Sequence, residues 1–178
     1  MSVSYPWYQS VLDSEIEQGE FFQDCLVPVT PKLIVNVAGS TSTDAPGEAE
    51  VLDVVVLTQS CDLLGGQTMV MVCPVFPLER WLENLPKKTP ARDWKNKLKN
   101  GQLIAYHVLD RCDLTDLECQ HLVVDFSSAF SVGVSYLHEL TSRGPRRRLM
   151  PPYREHLAQA FARYYMRIGL PVAMSPLP

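Results

Sequence analysis

The chain has 178 residues, 46% of them hydrophobic, and a formal net charge of −4 at pH 7. That length and apolar content suit a single domain over 1–178, and the mild acidity excludes a global basic field of the kind that draws nucleic acid. No stretch approaches the roughly 18 consecutive apolar residues of a membrane-crossing helix, and the first residues lack a secretory pattern.

In chain order, residues 6–18 read as a short helix, with Val11, Leu12 and Ile16 on one side and Gly19 as its stop. Residues 21–29 are a first strand and 33–37 a further β segment. The polar stretch 39–47 is a loop and the best candidate for disorder. Residues 51–60 form a buried strand, because Val and Leu dominate its first half without alternation. Leu64-Gly65-Gly66-Gln67 reads as a tight hairpin turn, and 68–76 as the returning strand. Helices follow at 78–85 and 91–100, separated by the breaker Pro86-Lys-Lys-Thr-Pro90. Residues 102–109, 121–125 and 129–134 are strands, 110–118 a turn region and 136–140 a helical turn. Residues 143–148 read as an exposed basic loop. A final helix opens at Pro151-Pro152 and ends at Gly169. Many short strands with peripheral helices imply an α+β fold, either a small antiparallel curled sheet or a small barrel.

The most informative run is Val54-Val-Val-Leu-Thr-Gln-Ser-Cys-Asp-Leu63, an apolar strand that stops in a polar cluster. A rigid strand end is a good mount for chemistry, so Thr58, Ser60, Cys61 and Asp62 form a candidate polar site. With a two-residue turn at Gly65-Gly66, Thr58 would lie opposite Cys73. Thr58, Ser60, Asp62 and Cys73 would then share one face. The plainer alternative makes Cys61 a small buried hydrophobe and Asp62 a turn cap. A nucleophilic Cys61 would need a histidine base, and His107, His121, His138 and His156 are all remote in sequence.

Charge is uneven. Acids crowd the first third, while Arg143, Arg146, Arg147, Arg148, Arg154, Arg163 and Arg167 face a single acid, Glu155, over 143–167. Arg146, Arg147 and Arg148 are therefore expected to be exposed and to bind a protein partner with an acidic surface. Arg154 joins the candidate site for a different reason. On a helical wheel it falls on the apolar face with Leu157, Phe161 and Tyr165, where a cation needs a carboxylate partner. Asp62 is the first choice and Asp125 the second. The aromatic stripe Phe161, Tyr164 and Tyr165 reads as core.

Five irregularly spaced cysteines point to reduced thiols in a cytoplasm rather than a disulfide framework. No metal is expected, since Cys112-x6-Cys119-x-His121 lacks the close cysteine pair of a zinc knuckle. No cofactor signature is present either.

Two resemblances complete the reading. The Thr58-Gln-Ser-Cys-Asp-Leu63 motif and the Pro151-Pro-Tyr-Arg-Glu-His-Leu157 motif resemble those of an uncharacterised bacterial protein family, over about residues 19–171. The strand order resembles the PemK/MazF toxins, whose fold is an SH3-like barrel. The matching pieces are Gly19-Glu20-Phe21, the strand ending at Thr58, Val70 to Pro74, and Val123-Val124-Asp125. That resemblance implies cleavage of single-stranded RNA by an Arg-Pro before the second strand and a Ser or Thr at its end. Thr58 fits, but Leu52-Asp53 stands where Arg-Pro should be, and an aspartate there would repel a phosphate. The expectation is therefore a non-catalytic interaction or regulatory module of a bacterial, defence-type multi-protein system. A PemK-like endoribonuclease or nucleic-acid binder is the alternative.

Overall fold

The computed structural model describes residues 6–28, 49–115 and 117–166. The expected strand at 33–37, the loop at 39–47 and the helix end beyond 166 lie outside them. The fold is α+β. The strands among the described residues are β1 (Tyr8–Val11), β2 (Phe21–Pro28), β3 (Ala49–Val56), β4 (Met69–Pro77), β5 (Tyr106–Leu109), β6 (Leu122–Asp125), β7 (Phe130–Gly133) and β8 (Arg146–Leu149). The helices among the described residues are α1 (Ser60–Leu64), α2 (Leu78–Glu83), α3 (Ala91–Lys99), α4 (Val134–Thr141) and α5 (Tyr153–Tyr165).

Six strands form one antiparallel curled sheet, in the order β2-β3-β4-β6-β5, with β7 also on β4. β1 and β8 make a separate antiparallel pair, which meets the main sheet through a single bridge, Glu20 to Arg148. Among the described residues the sheet stays open, so the curled form is present and the closed barrel is not. Strand β3 lies between β2 and β4, and Val54, Val55 and Val56 are each 0% exposed. Val55 joins a core with Cys73, Phe126 and Leu157, while Val54 and Val56 join another with Phe22, Val72 and Leu137. A strand covered on both faces has no wet side, which explains its unalternating valines. Helix α5 covers the first face and α4 the second. Helices α2 and α3 set Trp81 and Leu98 over Val123 in a third cluster. No helix among the described residues is long and apolar enough to cross a membrane.

Three expectations are corrected. Residues 8–11 are a strand, not part of a helix, because Tyr8, Gln9, Ser10 and Val11 pair with Leu149, Arg148, Arg147 and Arg146. Residues 146–149 are correspondingly a buried strand, not an exposed loop. The hairpin after β3 is replaced by helix α1, and the β3–β4 register pairs Val55 with Cys73 and Val54 with Pro74. Side chains account for this exit from the ladder. Thr58 Oγ1 accepts from the Met71 amide at 2.7 Å, and the Leu57 carbonyl accepts from Gln18 Nε2 at 2.9 Å. The groups that would have extended the ladder are thus occupied, and the chain turns into α1.

Candidate functional site

The chemistry-bearing side chains gather where the residues before β2, strand β8, helix α1 and the start of α5 meet. Strand alternation sends Arg146 and Arg148 to one side of β8 and Arg147 to the other. On the first side lies Glu20, which is 0% exposed. Its carboxylate accepts from Arg146 Nε and from Arg148 Nη2 at 2.9 Å and Nε at 3.2 Å. The Glu17 amide donates to the same carboxylate at 3.2 Å. The guanidiniums find further acceptors on backbone carbonyls. Arg146 Nη2 donates to Asp13 O at 2.6 Å and Nη1 to Thr141 O at 3.1 Å. Arg146 also stacks over Phe22 at 5.6 Å. All three nitrogens of each guanidinium have an acceptor, as burial of such charges demands.

Glu17 extends the cluster outward. One of its oxygens takes Arg148 Nη1 at 2.6 Å and the other takes Arg154 Nη1 at 3.3 Å. Arg154 also reaches Glu155 at 3.2 Å. The expected carboxylate for Arg154 therefore exists, but it is neither Asp62 nor Asp125. Asp62 is exposed in the first turn of α1, and Asp125 caps the short 3-10 turn after β6 by accepting from the Ser127 amide at 2.9 Å. Close approach of Arg154 to the chain is allowed by Gly19. Its φ is +80°, and a Cβ there would sit 3.2 Å from Arg154 Cγ and 3.1 Å from Leu149 Cβ.

The Thr58–Asp62 motif is bound to this cluster through Ser60, whose Oγ accepts from the Gln18 amide at 3.1 Å. Thr58 and Ser60 thus both hold backbone groups in place. Cys61 is exposed, with Sγ 3.7 Å from Gln59 Oε1 and 3.8 Å from Asp62 Oδ1. Cys73 does not share the polar face. It lies inside the core at 0% exposure, where burial pushes its thiol up to about 12. His107 is stacked on Phe126 and held neutral by burial down to about 4, with His156 and Arg163 adding to the shift.

Arg146, Arg147 and Arg148 are only 5–6% exposed. The exposed arginine surface on which an acidic partner was to bind is therefore not there. Tyr165 is also not core, being 54% exposed, whereas Phe161 and Tyr164 do pack against the cluster around Phe126.

Beside α1 opens a cleft of about 330 Å³. Leu57, Met71, Ala158, Phe161 and Ala162 supply apolar surface, and Gln18, Thr58, Gln59, Asp62 and Gln67 supply polar groups. It brings Thr58, Gln59 and Asp62 against Ala158, Phe161 and Ala162 of α5, while Ser60, Cys61 and Arg154 of the expected site are not in its lining. Sequence reasoning missed Glu20 and Glu17 altogether. A signal was available: Arg146 and Arg148 stand two apart, as one face of a strand requires, and Glu20 directly precedes Phe21-Phe22. Comparison of the chain with family models, curated proteins and solved structures finds no match.

Proposed function

We propose that this chain is a non-catalytic protein-interaction module, a regulatory part of a multi-protein system of the bacterial, defence-associated kind that its motifs suggest. Its docking site is the cleft between α1, β4 and α5, and its occupant is an extended apolar segment of a partner protein. The observation that carries this reading is the make-up of the cleft. An apolar floor ringed by carboxamides and a hydroxyl matches the dry centre and polar rim of protein interfaces. Gln59 and Gln67 are exposed, and each offers a donor and an acceptor, as a peptide backbone needs. Asp62 is the one charged group in the lining, which favours an uncharged segment over an acidic one.

Selection from a displayed peptide library against the full chain tests this. The expected result is enrichment of apolar sequences whose binding is lost in Ala162→Arg. Ala162 is exposed, so that variant should fold normally. No enrichment, or peptides that bind Ala162→Arg equally well, would overturn the reading.

A second reading is favoured by one feature. Thr58 lies in the cleft wall at a strand end, where the PemK-like pattern places its Ser or Thr. In that reading the cleft takes single-stranded RNA. Against it, Asp53 stands at the arginine's place and accepts from the Asp24 amide at 3.0 Å.

A further inference from the structure

Cys112 and Cys119 lie directly opposite one another in an isolated antiparallel bridge. The amide of each donates to the carbonyl of the other at 2.9 Å. A pair that exchanges both bonds has its Cα atoms about 5.5 Å apart, near the commonest separation in disulfides. Side chains directly opposite also leave the strands on the same face. The two side chains therefore project from the same face of the ladder. Neither cysteine is in a disulfide; Cys112 is 2% exposed and Cys119 is half-buried.

A second observation singles out this pair. Arg147 is 5% exposed and points to the side of β8 opposite Glu20. Its guanidinium lies over the Phe21 ring at 5.4 Å. It also sits beside the Cys119 thiol, which burial pushes up on balance and which Arg147 keeps from rising further. Its neighbours Arg146 and Arg148 are matched to carboxylates, whereas the acidic groups around Arg147 include Cys119. A guanidinium stabilises a thiolate as it forms.

We propose that Cys112 and Cys119 form a reversible thiol-oxidation site, closing to a disulfide in response to low-molecular-weight disulfides of the glutathione class. The more exposed Cys119 loses its proton to solvent, and its thiolate attacks one sulfur of the small disulfide. An S–S bond forms between Cys119 and that sulfur while the other leaves as a thiolate. The Cys112 thiol then gives up its proton and attacks Cys119 Sγ. The Cys112–Cys119 bond forms and the second small thiolate departs. The protein pair is oxidised by two electrons, the small disulfide is reduced to two thiols, and the two protons released restore those thiols. Directly opposite Cβ atoms start about 4.5–5.5 Å apart, beyond the roughly 3.8 Å mean of disulfides. Closing that gap strains the bond, and a strained disulfide is the labile, switching kind. Reversible pairs of this type are the disulfides that a reducing compartment tolerates.

The test uses the full chain carrying Cys61→Ser, so that the exposed thiol cannot compete. It is equilibrated with graded ratios of oxidised to reduced glutathione, trapped with an alkylating agent and read by peptide mass spectrometry. The expected result is complete conversion of the peptide holding Cys112 and Cys119 to a form two hydrogens lighter. Cys25 and Cys73, both 0% exposed, should stay reduced, and excess reduced glutathione should reverse the change. A Cys112→Ser variant should stop at a glutathione adduct on Cys119. The proposal is overturned if both cysteines remain alkylated at every ratio. A Cys61→Ser peptide that stops at the Cys119 adduct would overturn it equally.

Discussion

Replacing Glu20 by glutamine removes one charge and leaves the shape almost unchanged. In the native chain this carboxylate is fully buried and accepts from Arg146, Arg148 and the Glu17 amide. Glutamine keeps one carbonyl oxygen but turns an NH2 donor toward guanidiniums that are themselves all donor. Arg146, at 6% exposure, then loses its close counter-charge, and Arg148, at 5%, keeps only the more exposed Glu17 and Asp13. Breaking a buried ion pair by removing one partner costs about 3–5 kcal/mol, a large share of the roughly 5–15 kcal/mol that holds a typical domain. In a urea titration followed by circular dichroism, a loss of about 4 kcal/mol at a slope of about 2 kcal/mol/M lowers the midpoint by about 2 M. The slope itself should not change. A triple replacement, Glu20→Leu with Arg146→Met and Arg148→Met, should be less harmful than the single change, because no charge is left buried without a partner. A Glu20→Gln protein within about 0.5 kcal/mol of the native one would refute this reasoning, since that is the range of surface substitutions.

Other outcomes follow from the same geometry. Gly19→Ala should lower stability by about 1–3 kcal/mol, because φ is +80° and the added methyl meets Leu149 Cβ at 3.1 Å; thermal melting reads this directly. Val56→Asp places an unpaired charge at a 0% exposed position and should abolish cooperative unfolding altogether, as seen in a flat melt. For His107, burial lowers the folded-state value from 6.5 to about 4. The unfolded chain therefore takes up a proton first as pH falls. Stability should drop between about pH 6.5 and about pH 4, and His107→Phe should flatten the upper part of that slope, above the range where carboxylates titrate.

The legible and illegible parts of this fold divide by the range of the interactions that set them. Strand β3 could be read because four successive apolar residues, Val54 to Leu57, state a two-sided burial locally. Helix α5 could be read from the spacing of Leu157, Phe161 and Tyr164. Strand β8 could not, because arginines read as solvent-facing until their partner is known. Glu20, the partner of Arg146, stands 126 positions away. The same strand decides the fate of residues 8–11. Without β8 beside it, Val11, Leu12 and Ile16 are consistent with helix. With it, Tyr8 and Val11 become the buried ends of a paired strand. The turn after β3 was misread for a related reason. Gly65-Gly66 suits a hairpin, but Thr58 and Gln18 had already capped the ladder, and Gln18 comes from a distant loop. For the candidate site, the need of Arg154 for a carboxylate was legible, but its partner is Glu17 rather than Asp62. The acids Glu17 and Glu20 were not legible, because the arginines that mark Glu20 as buried and Glu17 as paired lie more than 120 positions away.

The reading that this chain recognises its partner through an apolar cleft whose one charged group is Asp62, with Arg146, Arg148 and Arg154 matched to Glu17 and Glu20, meets its most direct test in a titration with labelled single-stranded RNA at low and high salt. No saturable binding and no cleavage are predicted at low salt, while a cleft-selected peptide binds with an affinity that salt leaves unchanged. The contradicting result is RNA binding whose affinity falls log-linearly with salt, the mark of several phosphate contacts, or RNA cleavage that disappears in Thr58→Val.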